Sequence, residues 1–200
     1  MQQPVAKYTK TAIILHGVVG LLLIGMLVLG AFMHEVPKDL PKVDSVDFMN
    51  LGIYTVQFSE ALTPRSFYFN LHKSIGITVF ALILIRLFWR MTHSAPAFPA
   101  TMKAWEKTVA ELVHKALYFL MLAMPVSGIV MATYSKYGIK WFGIPLIKGL
   151  DNEGLREIFQ EVHEVLAWTL VVLIVLHALA AIKHKLVDKD DVMSRMSLRG

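Results

Sequence analysis

Residues 160–184, QEVHEVLAWTLVVLIVLHALAAIKH, form an apolar run of membrane length, and two histidines, His163 and His177, interrupt it fourteen residues apart. Fourteen residues are close to four helical turns, so both imidazoles leave one face of a helix, about 21 Å apart along its axis. That is nearly the thickness of the hydrocarbon layer. An imidazole is costly to bury in lipid without a partner, and ionisable groups inside spans usually carry function or pair with one another. Either each histidine binds something near one membrane face, or both are tied to backbone carbonyls inside a bundle.

Composition narrows the choice. Of 200 residues, 56% are hydrophobic, which is too apolar for a soluble domain and places the chain in a membrane. There is no cysteine, which removes disulfides, thiolate-bound zinc, iron–sulfur clusters and thiol catalysis together. A redox metal therefore has to be held by His, Met or carboxylates. The net charge of +5 sits at the ends of the apolar runs, where membrane topology accounts for it, so nucleic acid is not an expected partner.

Four apolar runs are expected to span the membrane, at about 11–32, 71–90, 107–133 and 160–184, joined by outer loops 33–70 and 134–159 and an inner linker, 91–106. The first run has a basic start in Lys7 and Lys10 but no small-residue cleavage site after it, so it is read as a retained span. Pro125 is expected to kink the third span. The stretch LGIYTVQFSEA, 51–61, is expected to lie on the outer surface or cap the bundle. Lys7, Lys10, Arg90, Lys103, Lys107, Lys185, Lys189, Arg195 and Arg199 fall on one side and most of the acids on the other, which predicts both termini in the cytoplasm. The expected fold is all-α: one integral-membrane domain over 1–200, a four-helix transmembrane bundle running up-down-up-down.

In that arrangement the histidines sort by height. His72 opens the second span and His163 the fourth, at the outer face; His16 lies early in the first span and His177 late in the fourth, at the inner face. Two imidazoles facing each other across one level are what a bis-histidine heme needs, and neighbouring helices of a bundle supply them. His114 is a third candidate at the inner level. The residue one turn beyond each histidine separates them: Gly20, Gly76, Ala167 and Ala181 follow His16, His72, His163 and His177, whereas Tyr118 follows His114. Small residues leave room for a porphyrin, although they also promote plain helix packing. His114, His184 and Arg86 gather with Lys183, Lys185 and Lys115 at the inner end, where they suit either a quinone headgroup and heme propionates or simple snorkelling at the lipid boundary. His34 and His93 are expected to be solvated, and the eleven methionines to fill the core.

HKSIGITVFALILIRLFWR at 72–90, AMPVSGIVM in the third span, WFG at 141–143, EVHEVLAW at 161–168 and HALAAIKHKLVDKDDVMSRM at 177–196 resemble the bacterial cytochrome b561 family in order and spacing. The resemblance implies a multi-pass protein of the bacterial inner membrane with two heme b groups, whose axial ligands fall on His16, His72, His163 and His177. It implies electron exchange with ubiquinone or a related quinone and, for some members, oxidation of periplasmic superoxide. Superoxide is an anion, yet the first outer loop is net acidic and only Arg65 and Lys73 flank His72, so steering toward that site is weak. An electron-transfer oxidoreductase and an anchor subunit serving a periplasmic redox protein are both compatible with these residues, and the direction of flow depends on surroundings that a sequence does not display.

Overall fold

The structure, a computed structural model, describes residues 6–198; Arg199, counted above with the basic tail, lies outside them. Four long helices account for most of the chain: α1 (Lys10–Glu35), α2 (Pro64–Thr92), α3 (Ala104–Tyr134) and α4 (Glu153–Lys183). Each is long and apolar enough to cross a membrane. They run alternately up and down, and both ends of the described chain lie at one end of the bundle, where the amide of Tyr8 donates to the carbonyl of Arg195 at 3.1 Å.

The second and fourth helices begin about two turns earlier than hydropathy places them. Thr63 caps α2, its Oγ1 accepting from the amide of Ser66 at 3.2 Å, and Pro64 follows in the first turn, where its missing N–H costs nothing. Asn152 caps α4 in the same way, accepting from the amide of Leu155 at 3.1 Å. These polar first turns raise the imidazoles of His72 and His163 above the helix ends, into the bundle. α3 continues through Pro125, whose ring leaves the carbonyl of Met121 without its usual helical donor.

The loops at the far end carry two β-hairpins. Within 51–61, expected on the outer surface or as a cap, TVQFSEAL alternates side chains with a period of two, and it pairs as β2 (Thr55–Leu62) with β1 (Val43–Asp47) in an antiparallel hairpin. The hydroxyl of Tyr68, buried on α2, donates to the carbonyl of Asp47 at 3.2 Å and accepts from the amide of Met49 at 2.8 Å. Leu29, Met33 and Val36 complete that contact. A second hairpin, β3 (Ile139–Trp141) with β4 (Ile144–Ile147), turns at Phe142 and Gly143, both with positive φ, as two-residue hairpin turns require. It rests on α2, where Ser74 Oγ accepts from the amide of Phe142 at 2.9 Å and Trp141 Nε1 donates to Thr78 Oγ1 at 3.1 Å. The indole of Trp141 is thus hydrogen-bonded to the bundle.

Midway along the bundle one layer is closed by all four helices: Val19 and Leu23 of α1, Val79 and Ile83 of α2, Leu120 and Met121 of α3, Leu170 of α4. Leu170 stands seven residues from both His163 and His177, so the layer lies between the two histidine levels. Past α4 a wider helical turn, His184–Asp188, leads into a C-terminal segment folded under the bundle, where Arg195 donates to the carbonyl of Ala97.

Candidate functional site

At the hairpin end, α2 and α4 bring His72 and His163 face to face, with ring centroids 6.5 Å apart and planes at 80°. Glycines of the neighbouring helices allow this approach. A Cβ on Gly128 of α3 would stand 3.0 Å from Cε1 of His163, and one on Gly30 of α1 would stand 3.4 Å from Cε1 of His72. The pair opens on an apolar cleft lined by Met26, Gly76, Ile77, Pro125 and Gly128 among others. Among the described residues Lys73 is the charged group on its wall, and its Nζ donates to the carbonyl of Gly138 at 2.9 Å. Arg65, the other cation near His72 in sequence, is turned away to the carbonyls of Val36 and His34 and the ring of Phe69.

At the other end, α1 and α4 bring His16 and His177 to a centroid distance of 6.0 Å with planes at 79°. His114 of α3 joins them, 5.4 Å from His177 at 67°, on the exposed flank of the pair. Arg86 of α2 lies 2.9 Å from Nδ1 of His16 and 5.6 Å from the Tyr118 ring. Because a guanidinium only donates, His16 accepts through Nδ1 in this arrangement. Among the residues grouped above at the inner end, Arg86 and His114 share the surroundings of His16 and His177. His184 does not. Its Nδ1 is held by Asp190 at 2.7 Å and by Asp188 at 3.2 Å, and Lys183 bridges Asp188 and Glu106, so these groups fasten the C-terminal segment to the ends of α3 and α4. His93, expected in solvent, stacks on Trp89 at 3.9 Å.

The backbone does not account for all the imidazoles, although the ring of His163 also reaches the carbonyl of Met124. Nδ1 of His72 is buried with no hydrogen-bond partner among the described residues, while the partners of His16 and His163 are the side chains of Arg86 and Ser127. Two imidazoles bound on opposite sides of one metal ion, each nitrogen about 2 Å from it and about 1 Å from its own ring centre, have centroids about 6 Å apart. Both pairs match that spacing, and the hairpin-end cleft is apolar as a porphyrin requires; His16, accepting from Arg86 at Nδ1, carries its proton on Nε2 in this arrangement and would have to release Arg86 to bind iron through that nitrogen.

Sequence reasoning missed Gly30, Gly128 and Ser127. Of the small residues singled out for porphyrin room, Gly76 lines the cleft beside Met26, and a Cβ on Gly20 would meet nothing within 4 Å. A Ser-Gly pair deep in an apolar span, as in PVSGIV, is the signal that marks a close polar helix contact.

Fold and site define a four-helix membrane protein with a facing histidine pair at each end. The chain belongs to the prokaryotic cytochrome b561 family, whose sequence profile matches residues 7–198. It is 36% identical over 131 residues to cytochrome b561 homolog 2 of Escherichia coli, covering 64% of this chain and 69% of that one. With cytochrome b561 homolog 1 of the same organism it shares 31% over 129 residues, 64% and 73% of the two chains. With a protein named probable superoxide oxidase CybB, from Yersinia pestis, it shares 30% over 129 residues, 63% and 72%. Membership makes this a multi-pass bacterial inner-membrane electron-transfer protein with b-type heme.

Proposed function

We propose that this protein carries electrons across the inner membrane between a periplasmic redox partner and the quinone pool, with one heme b held by His72 and His163 and a second by His16 and His177. The supporting observation is the facing imidazole pair repeated at both ends of the bundle, at 6.5 and 6.0 Å. Bound heme supplies one-electron exchange; with two imidazoles per iron there is no open position for oxygen chemistry. The chain supplies the insulation. The layer of Val19, Leu23, Val79, Ile83, Leu120, Met121 and Leu170 bars water and ions between the two levels, so charge passes it as electrons. Basic residues set the His16 end toward the cytoplasm and the hairpins toward the periplasm. At the inner end Arg86 and the exposed flank of His114 offer hydrogen bonds to a quinone headgroup or to heme propionates.

In its enzymatic form the protein is a superoxide:ubiquinone oxidoreductase. The name of the Yersinia pestis relative supports superoxide as the outer donor, and Lys73 is the cation placed to meet an anion in the outer cleft. The test is a heme-to-protein ratio with a dithionite-reduced difference spectrum, followed by superoxide in the presence of ubiquinone. Two low-spin b hemes per chain and rapid reduction by superoxide are expected; a chain binding no heme overturns the proposal.

A second reading has its own observation. The β1–β2 hairpin carries Asp44, Asp47 and Glu60 and exposes Leu51, Ile53 and Tyr54 at its tip, Ile53 by 82%. That surface suits a basic periplasmic redox protein, for which the membrane chain serves as anchor. Two hemes that superoxide does not reduce, together with salt-sensitive reduction by a copurifying protein, favour this reading.

A further inference from the structure

Ser127, in the PVSGIV segment of α3, has a contact that the ligand assignment leaves unexplained. Its Oγ lies 2.9 Å from Nδ1 of His163 and 2.8 Å from the carbonyl of Met124, to which it donates. A hydroxyl has a single hydrogen, and here the carbonyl takes it. Only lone pairs are left toward His163, and the Met124 carbonyl that the ring also reaches can only accept, so the imidazole donates from Nδ1–H. In a neutral ring a proton on Nδ1 leaves Nε2 bare. Ser127 is itself buried, at 6% exposure, and Gly128 beside it admits the ring edge at a distance that a side chain would not.

The other three histidines lack this arrangement. Nδ1 of His72 is buried without a partner among the described residues, Nδ1 of His16 faces the donor-only Arg86, and His177 is engaged by ring contacts with His16 and His114. His163 alone among the four has a hydrogen bond that sets the tautomer a metal ligand needs.

We propose that Ser127 is a positioning residue of the outer site: by accepting from Nδ1–H of His163 it holds the ring with bare Nε2 turned to the center of the pair and makes that nitrogen a stronger electron donor. The proposal rests on the reading that His163 binds heme iron. A hydrogen bond to the far nitrogen raises ligand basicity, which favours the oxidised metal and lowers the potential of the outer center relative to a ring without the bond. The outer heme is thereby biased to pass electrons inward, a consequence of one serine on a helix that supplies no ligand.

Two measurements test it on the full-length protein. Nitrogen-15 spectra of histidine-labelled, heme-free protein read the tautomer directly: His163 is expected as Nδ1–H, and finding the proton on Nε2 overturns the proposal whatever the heme content. In the heme-loaded protein, Ser127→Ala is expected to raise the outer midpoint potential while the inner one stays in place. The shift corresponds to about a tenfold change in the reduction equilibrium, or about 59 mV for one electron. Ser127→Thr, which keeps the hydroxyl, is expected to restore the wild-type value. An unchanged outer potential in Ser127→Ala, with both hemes bound, overturns the role assigned to Ser127 and leaves the two-heme reading standing. Heme retained at the outer site by His163→Ala sinks the ligand assignment instead, while the tautomer is still read from the nitrogen spectra.

Discussion

A methyl group at position 128 collides with the ring of His163, and the size of the collision sets what it does. A Cβ built on Gly128 lies 3.0 Å from Cε1, 3.4 Å from Nδ1 and 3.8 Å from Nε2 of that ring. Carbon atoms rest at about 3.5–4.0 Å, so the imidazole has to retreat by a few tenths of an ångström. Metal-ligand bonds tolerate about 0.2 Å, so the retreat would stretch the bond proposed between His163 and iron. Disturbing a ligand's support in this way costs about 10- to 100-fold in metal affinity. The helix itself gains, since Ala replaces Gly in a helix interior with a benefit of about 0.5–1 kcal/mol. Gly128→Ala is therefore expected to fold and insert but to lose outer heme, read as hemochrome per chain and as loss of one component of the reduced spectrum.

Gly30→Ala meets Cε1 of His72 at 3.4 Å and should weaken the outer site more mildly. Gly128→Ala with two hemes and an unaltered spectrum refutes this account of how the rings are held.

Replacing His163 with Ala should remove the outer heme and spare the inner one, checked by heme stoichiometry; retention of both sinks the pairing. His114→Ala should keep both hemes and slow electron exchange with ubiquinone, and loss of a heme instead would make His114 an inner ligand in place of His16. Tyr68→Phe removes the hydroxyl that ties Asp47 and Met49 to α2, at a cost of about 1–3 kcal/mol, and should speed proteolysis in the β1–β2 hairpin while leaving the heme spectrum intact.

The four spans, the histidines at opposite ends of them and the fourteen-residue interval on α4 were all legible in the sequence, because hydropathy and helical period belong to a single helix and need no neighbour. The same local logic could not find the residues that touch the rings. It looked one turn along each ligand's own helix, to Gly20 and Gly76, whereas the atoms touching the rings belong to Gly30 on α1 and Gly128 on α3. Tertiary structure alone decided these contacts, because they depend on how far each helix is rotated about its axis relative to the next, a quantity that no one helix's periodicity contains. The capping residues Thr63 and Asn152 lengthened α2 and α4 beyond their apolar runs, and TVQFSEAL became a strand once β1 and Tyr68 were there to pair with it. His184, grouped by sequence with Arg86 and His114, went to Asp188 and Asp190, because the wide turn after Lys183 brings those carboxylates beneath its ring. What the sequence determined by itself was which residues face one another in height; which of them touch was settled by the packing of one helix against another.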